Sequence, residues 1–149
     1  MTRRLPLSAI AVLASVAAVW PAMAHSAQVP LKITAKVHML AGGGSTLTQA
    51  GTFTGAPMGH GKVRVRTNVG RSRGSIITFV FSNSRGTLRG TSDCAVTFKG
   101  SQVRYRGTAK ITGGTGAYRG MRSSRISVSG HGDLADENFL VSLTGRVGS

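Results

Sequence analysis

Leu31-Lys32-Ile33-Thr34-Ala35-Lys36-Val37-His38-Met39 alternates apolar and polar side chains without a break. Successive residues of a strand point to opposite faces, so this stretch reads as a strand with one buried and one wetted side. Working outward, the same period recurs, split by Gly, Ser and Asn. Ala41-Gly42-Gly43-Gly44-Ser45 breaks the first strand, residues 46–54 form a second, and 57–61 a loop. Val63 and Val65 then alternate with Lys62, Arg64 and Arg66, and residues 69–74 turn. Residues 75–81, with Ile76, Ile77, Phe79, Val80 and Phe81, are apolar on both sides, which predicts a strand covered on both faces.

After a turn at 82–85, residues 86–99 hold one long bent strand or two short ones. Over 102–112, Val103, Tyr105, Ala109 and Ile111 stand against Arg104, Arg106 and Lys110. Residues 113–120 are a glycine-rich connection, 125–130 a strand with Ile126 and Val128 on one face, and 133–138 a polar turn. Phe139, Val141, Leu143 and Val147 close the chain on a last strand. The count is about eight strands, and beyond residue 24 no apolar stripe has helical spacing. Regular turn spacing fits an all-β sandwich or barrel. Closure would remove the exposed edges of an open meander. An eight-stranded interior is either just filled by side chains or holds one small ligand. Aromatics are few, so the core should rest mainly on Val, Ile, Leu and Ala.

Residues 1–24 read as a secretory signal peptide rather than as part of the fold. Arg3 and Arg4 form a positive start, residues 7–20 an uncharged apolar run, and Ala22-Met23-Ala24 a small-residue cleavage site. The run is short for a membrane span, which needs roughly 20 apolar residues, and no Cys follows it to take a lipid anchor. Thr2-Arg3-Arg4 resembles a twin-arginine signal, interrupted by Pro6, so the export pathway stays open between the general and twin-arginine routes. The expected mature domain, 25–149, has a net charge of +13, against +15 for the whole 149-residue chain. It is long enough for one domain that buries roughly two-thirds of its surface. The lone Cys94 allows no internal disulfide and no Cys-built zinc site. It reads as a buried small hydrophobe, with an intermolecular disulfide as the alternative.

Ile111-Thr112-Gly113-Gly114-Thr115-Gly116-Ala117-Tyr118-Arg119-Gly120-Met121-Arg122 is the most distinctive stretch. It resembles the GGTG-x-aromatic-x-x-A-R-G signature of plant dirigent proteins and is similar to the related turn of allene oxide cyclases. Small secreted bacterial proteins with an allene-oxide-cyclase-like barrel, which share a GGTG-x-Y-x-G turn between strands, look closer still. Gly51-Thr52-Phe53-Thr54-Gly55-Ala56-Pro57-Met58-Gly59 also resembles that bacterial group. Met121 stands where the dirigent pattern has Ala, and Ser123 where it has Gly. The resemblance implies a single eight-stranded antiparallel β-barrel, often oligomeric in the plant proteins, and carries no catalytic residue to this chain. Within the motif, Gly113, Gly114, Thr115, Gly116, Tyr118 and Gly120 read as structural. The glycines would take positive φ or allow close backbone approach, and Tyr118 would plug the barrel mouth with its hydroxyl in water. A phosphate-binding loop is excluded, because the Gly-Lys-Ser/Thr ending and following helix are missing.

Four acidic residues leave little for a calcium site or a paired-carboxylate hydrolase. Gly70-Arg71-Ser72-Arg73-Gly74 matches a nucleophile-elbow pattern in letters, but a strand rather than a helix follows, so it reads as a basic turn. Ser129, His131 and Asp133 supply triad residue types at strand spacing, without the base set between nucleophile and orienter. His25, at the mature N-terminus, would chelate copper through its amine and ring, with His38, His60 or His131 as second ligand. No other metal and no cofactor is expected. Asp93 is the one acid in an expected strand, and so the test position for cyclase chemistry.

The strongest signal is arginine. Arg64 and Arg66 share one strand face and Arg104 and Arg106 another, while Arg71, Arg73, Arg85, Arg89, Arg119, Arg122 and Arg125 lie on or near turns. With Tyr118 and Arg119, the paired arginines are the candidate ligand and polyanion contacts. Export points away from dedicated nucleic-acid binding, and stacking aromatics are scarce. The expectation is an exported, non-enzymatic binder of a small apolar ligand, an acidic envelope polymer, or both, with no transmembrane segment after cleavage. A cyclase or dirigent-like enzyme is the alternative.

Overall fold

The computed structural model describes residues 27–43, 45–68 and 75–149. The expected signal peptide, His25 and the basic turn at 70–74 lie outside them. The strands are β1 (Val29–Gly43), β2 (Thr46–Ala56), β3 (Gly59–Asn68), β4 (Ser75–Asn83), β5 (Gly86–Lys99), β6 (Gln102–Gly114), β7 (Ser123–Asp133) and β8 (Asn138–Val147). Each pairs antiparallel with the next, and β8 pairs back onto β1 from Val29↔Val147 to His38↔Asn138, closing an eight-stranded barrel. Among the described residues the one helical element is a short 3-10 turn, Gly116–Tyr118.

Residues 86–99 form one strand, the first of the two readings, with a register shift between Arg89 and Gly90. Two segments differ from their sequence reading. The break expected at 41–45 begins later, since β1 shifts register between Met39 and Ala41 and pairs on to Gly43↔Thr46. The loop at 57–61 narrows to two residues, 57 and 58, because β3 begins at Gly59.

Strand alternation decides what is inside. Leu31, Ile33, Ala35 and Val37 point inward, while Lys32, Lys36 and His38 point out. Aliphatic residues from every strand but β2 and β4 supply most of the core, and those two supply Phe53, Phe79 and Phe81. The Phe53 and Phe81 rings meet edge to face at 5.0 Å, and Phe79 lies 5.3 Å from Phe81. Such contacts add to the burial term. Where the wall turns sharply, an inward position must be empty. A Cβ on Gly51 would lie 1.8 Å from the Lys36 carbonyl oxygen.

The pattern at 75–81 predicts cover on both faces, and the barrel gives one. Phe79 and Phe81 are buried, but Ile76 is 57% and Val80 41% exposed. Among the described residues no second layer lies over the outside of β4.

One end of the barrel, where β4 turns into β5 and β6 connects to β7, is plugged by the glycine-rich motif. Gly116 adopts φ +59, and a Cβ there would lie 2.2 Å from the Arg85 carbonyl oxygen. Gly114 serves close approach, with a Cβ position 2.3 Å from the Tyr118 carbonyl oxygen. The Thr115 N–H donates to the Thr87 carbonyl at 2.9 Å, and the Ala117 N–H to the Arg85 carbonyl at 2.9 Å. The connection is thereby stitched to the β4–β5 turn. Tyr118 is 1% exposed. Its hydroxyl is not in water. It accepts a 2.8 Å hydrogen bond from Asn83 Nδ2, which also donates to the Met58 carbonyl at 2.7 Å. A ring this deep needs an internal partner, because an unpaired buried hydroxyl costs more than the bond returns.

Two outcomes follow for stability. Tyr118→Phe should lower the unfolding free energy by about 1 kcal/mol, and Tyr118→Ala by about 3–5 kcal/mol, both read from urea midpoints. Gly51→Ala, which drives a methyl group into the β1 backbone, should cost about 3 kcal/mol or more. A near-neutral midpoint for it would contradict the packing described.

Candidate functional site

The sequence-predicted contacts do not form one site. Arg64 and Arg66 stand on the outer face of β3, and Arg104 and Arg106 on the outer face of β6. The two pairs are three strands apart round the wall. Tyr118 is sealed in the plug, where the Arg85 guanidinium carbon lies 5.7 Å from its ring centroid. Arg119 is exposed at the plugged end, and its N–H donates to the Gly116 carbonyl at 3.2 Å.

The β6 pair sits in the larger feature. A concavity of about 1320 Å³ runs across the outer wall from β5 through β6, β7, β8 and β1 to β2. Register sets its floor in two rows. Thr97, Arg104, His131, Leu140, Lys36 and Thr52 follow one another from strand to strand, and beside them run Ala95, Arg106, Ser129 and Ser142. Arginine, lysine and imidazole groups thus share one surface with hydroxyls. Asp133 and Asp136 bound it at the end opposite the plug. Strand alternation alone gives Lys36 and His131 an outward direction, but their approach to Arg104 exists only through register.

Toward the unplugged end the inward Val65, Ile77, Val96, Tyr105 and Val141 are only half-buried. A void of about 60 Å³ remains among Val65, Ile77, Phe79, Cys94, Tyr105 and Phe139, with Gln49 and Ser92 as polar neighbours. Cys94 is buried and 3.0 Å from the Ser92 hydroxyl. Burial pushes its thiol above the ordinary range, against the opposing hydrogen bond from Ser92. Tyr105 packs edge to face on Phe139 at 6.1 Å. Burial, and then neighbouring Cys94, pushes its phenol up to about 12.

The catalytic arrangements weighed from sequence are not assembled. Ser129 and His131 share the outer face of β7. Asp133 Oδ1 accepts the Ala135 N–H at 2.9 Å and shapes the β7–β8 turn. Asp93 points outward between Ile76 and Thr108, away from the interior. Among the described residues no three His, Cys, Asp or Glu side chains are placed to hold a metal ion. His38, His60 and His131 lie on three different strands, β1, β3 and β7. Among the same residues no helix is long and apolar enough to cross a membrane.

No protein-family model, no curated protein and no solved structure matches this chain.

The raised phenol of Tyr105 has a measurable consequence. An unfolded tyrosine ionises near pH 10, and the folded one at about 12. The folded state therefore holds the proton over that interval. The associated stability is complete below pH 10 and drains away as pH rises through 12. Urea midpoints should fall between pH 10 and 12, and Tyr105→Phe should flatten that fall. An unchanged slope in the variant would remove Tyr105 as the cause.

Proposed function

We propose that this chain is an exported, non-enzymatic binding protein that holds an acidic, hydroxyl-rich polymer along the concave outer wall. The observation that carries this reading is the row Arg104–His131–Leu140–Lys36, with Arg106, Ser129 and Ser142 beside it, in one concavity. Arginine gives paired, charge-assisted hydrogen bonds to carboxylate, sulfate or phosphate groups. The intervening Ser and Thr hydroxyls both donate and accept, as polymer hydroxyls require. Asp133 and Asp136 repel an anion at one end, which seats the chain over Arg104, Arg106 and Lys36.

Composition supports a polyanionic partner. In the expected mature domain, 25–149, four acidic residues stand against 17 Lys and Arg, a net charge of +13. Such an excess raises local polyanion concentration and speeds encounter. The interior offers less. A void of about 60 Å³ is far below the roughly 300–1,000 Å³ of small-molecule sites. The resemblance at residues 111–122 fits the same reading, with the shared motif serving as the barrel's plug.

Heparin, a sulfated glycan, is a suitable probe. Arg104→Gln with Arg106→Gln should weaken binding about tenfold at 0.1 M salt, and Arg64→Gln with Arg66→Gln should weaken it less. Binding should vanish toward 1 M salt, where screening leaves about 3 Å of range. Affinity that survives high salt, or that ignores the β6 pair, would sink the proposal.

A further inference from the structure

The barrel's other basic wall has a different chemistry. On β4, Ile76, Thr78 and Val80 face outward, and the two aliphatic side chains are 57% and 41% exposed. Register sets arginine on either side of them. Arg64 of β3 and Arg89 of β5 flank Val80, and Arg66 flanks Thr78. The stripe therefore sets Ile76 and Val80, with Thr78 between them, beside two arginines on the β3 edge and one on the β5 edge. Asp93, opposite Ile76, is the only carboxylate residue on these three strands.

Charge decides what covers it. A second copy docked stripe to stripe would bring three arginines against three, with one aspartate on each side to offset them. Repulsion at that density opposes self-association. A hydrated polyanion would satisfy the arginines but leave Ile76 and Val80 in water. A lipid surface with anionic headgroups suits both parts. Aliphatic side chains enter the boundary between headgroups and acyl chains while cations sit at the phosphates. The wall as a whole is too charged to span a bilayer, since a spanning barrel shows an outward apolar band.

A second set of exposed apolar residues supplies a contrast. Leu40, Phe98 and Leu134 lie at the end opposite the plug. The Leu134 N–H donates to the Ser101 carbonyl at 2.9 Å, and the Met39 N–H to the Glu137 carbonyl at 3.2 Å, which joins these segments into one arc. Asp133, Asp136 and Glu137 stand in the same turn, three of the chain's four acidic residues. An anionic surface is repelled there.

We infer that the β4 stripe, Ile76 and Val80 between Arg64, Arg66 and Arg89, docks this protein peripherally on an anionic lipid surface. This stands independently of the polymer seat, which occupies the β5–β8 and β1–β2 side of the wall. Bound to both, the protein would tether an acidic polymer to a membrane.

The test is co-sedimentation of the purified protein with vesicles of phosphatidylglycerol and phosphatidylcholine, and with phosphatidylcholine alone. Wild type should pellet with the first and stay in solution with the second. Ile76→Thr with Val80→Thr keeps β-branched residues, and so strand propensity. It should lower the partition constant about tenfold and leave heparin affinity unchanged. Val80→Trp should raise it, because indole favours the interface. Each of Arg64→Gln, Arg66→Gln and Arg89→Gln should cost about fivefold, and Phe98→Ser with Leu134→Ser should cost nothing.

The inference is overturned if the double threonine variant partitions like wild type, or if the Phe98 and Leu134 pair is the one that loses binding. It is also overturned if native mass spectrometry shows a dimer that the threonine variant dissolves, since a second copy would then cover the stripe. Loss of heparin binding in Arg104→Gln with Arg106→Gln, with vesicle binding intact, would separate the two walls. Failure of the polymer seat alone would leave the lipid result standing.

Discussion

The pairing of β8 with β1, from Val29↔Val147 to His38↔Asn138, is the constraint on which the molecule rests. It satisfies the backbone donors and acceptors of the two terminal strands, which would otherwise be open edges. It also assigns every side chain of a single sheet to an inside or an outside. Once that ring is shut, a strand residue has two fates only, the packed interior or water. Among the described residues no second sheet and no helix layer covers the outside, and Ile76 and Val80 stay exposed there.

The interior and the plug divide the work of stability. Aliphatic side chains fill most of the tube, while Phe53, Phe79 and Phe81 fill the side built by β2 and β4. At one end the Tyr118 hydroxyl, the Asn83 amide and the Met58 carbonyl form a small buried network. The glycine-rich connection is explained by this duty alone. Its positive φ at Gly116 and its close approach at Gly114 let Tyr118 swing in over the core, and no ligand is needed to account for either.

The proposed functions both rest on the exterior. Arginine spread around a cylinder does not make one site, and the two pairs read from sequence face different directions. Arg104 and Arg106 join Lys36, His131 and hydroxyls on a concave wall. Arg64 and Arg66 join Arg89 and an aliphatic stripe on another. The same guanidinium chemistry is thus placed beside hydroxyls in one case and beside hydrocarbon in the other, which suits partners of different surface character.

Strand existence and the inward or outward direction of Leu31–Met39, Val63, Val103 or Ile126 were legible because both follow from a local period of two. The arginine excess was legible from composition. The solvent-exposed hydroxyl expected of Tyr118 was not found, because its partner Asn83 lies 35 residues away. The cover expected over β4 was not found, because a two-sided apolar run looks the same whether or not a second layer exists. The basic concavity was also hidden, since Lys36, Arg104 and His131 meet only through cross-strand register. By itself the sequence determined an all-β chain, the facing of its side chains and its cationic surface, all of which depend on neighbours along the chain. Tertiary structure alone decided closure, the sealed plug and which cations share a wall. Those depend on how far each strand slides against the next, and that is fixed only when the last strand meets the first.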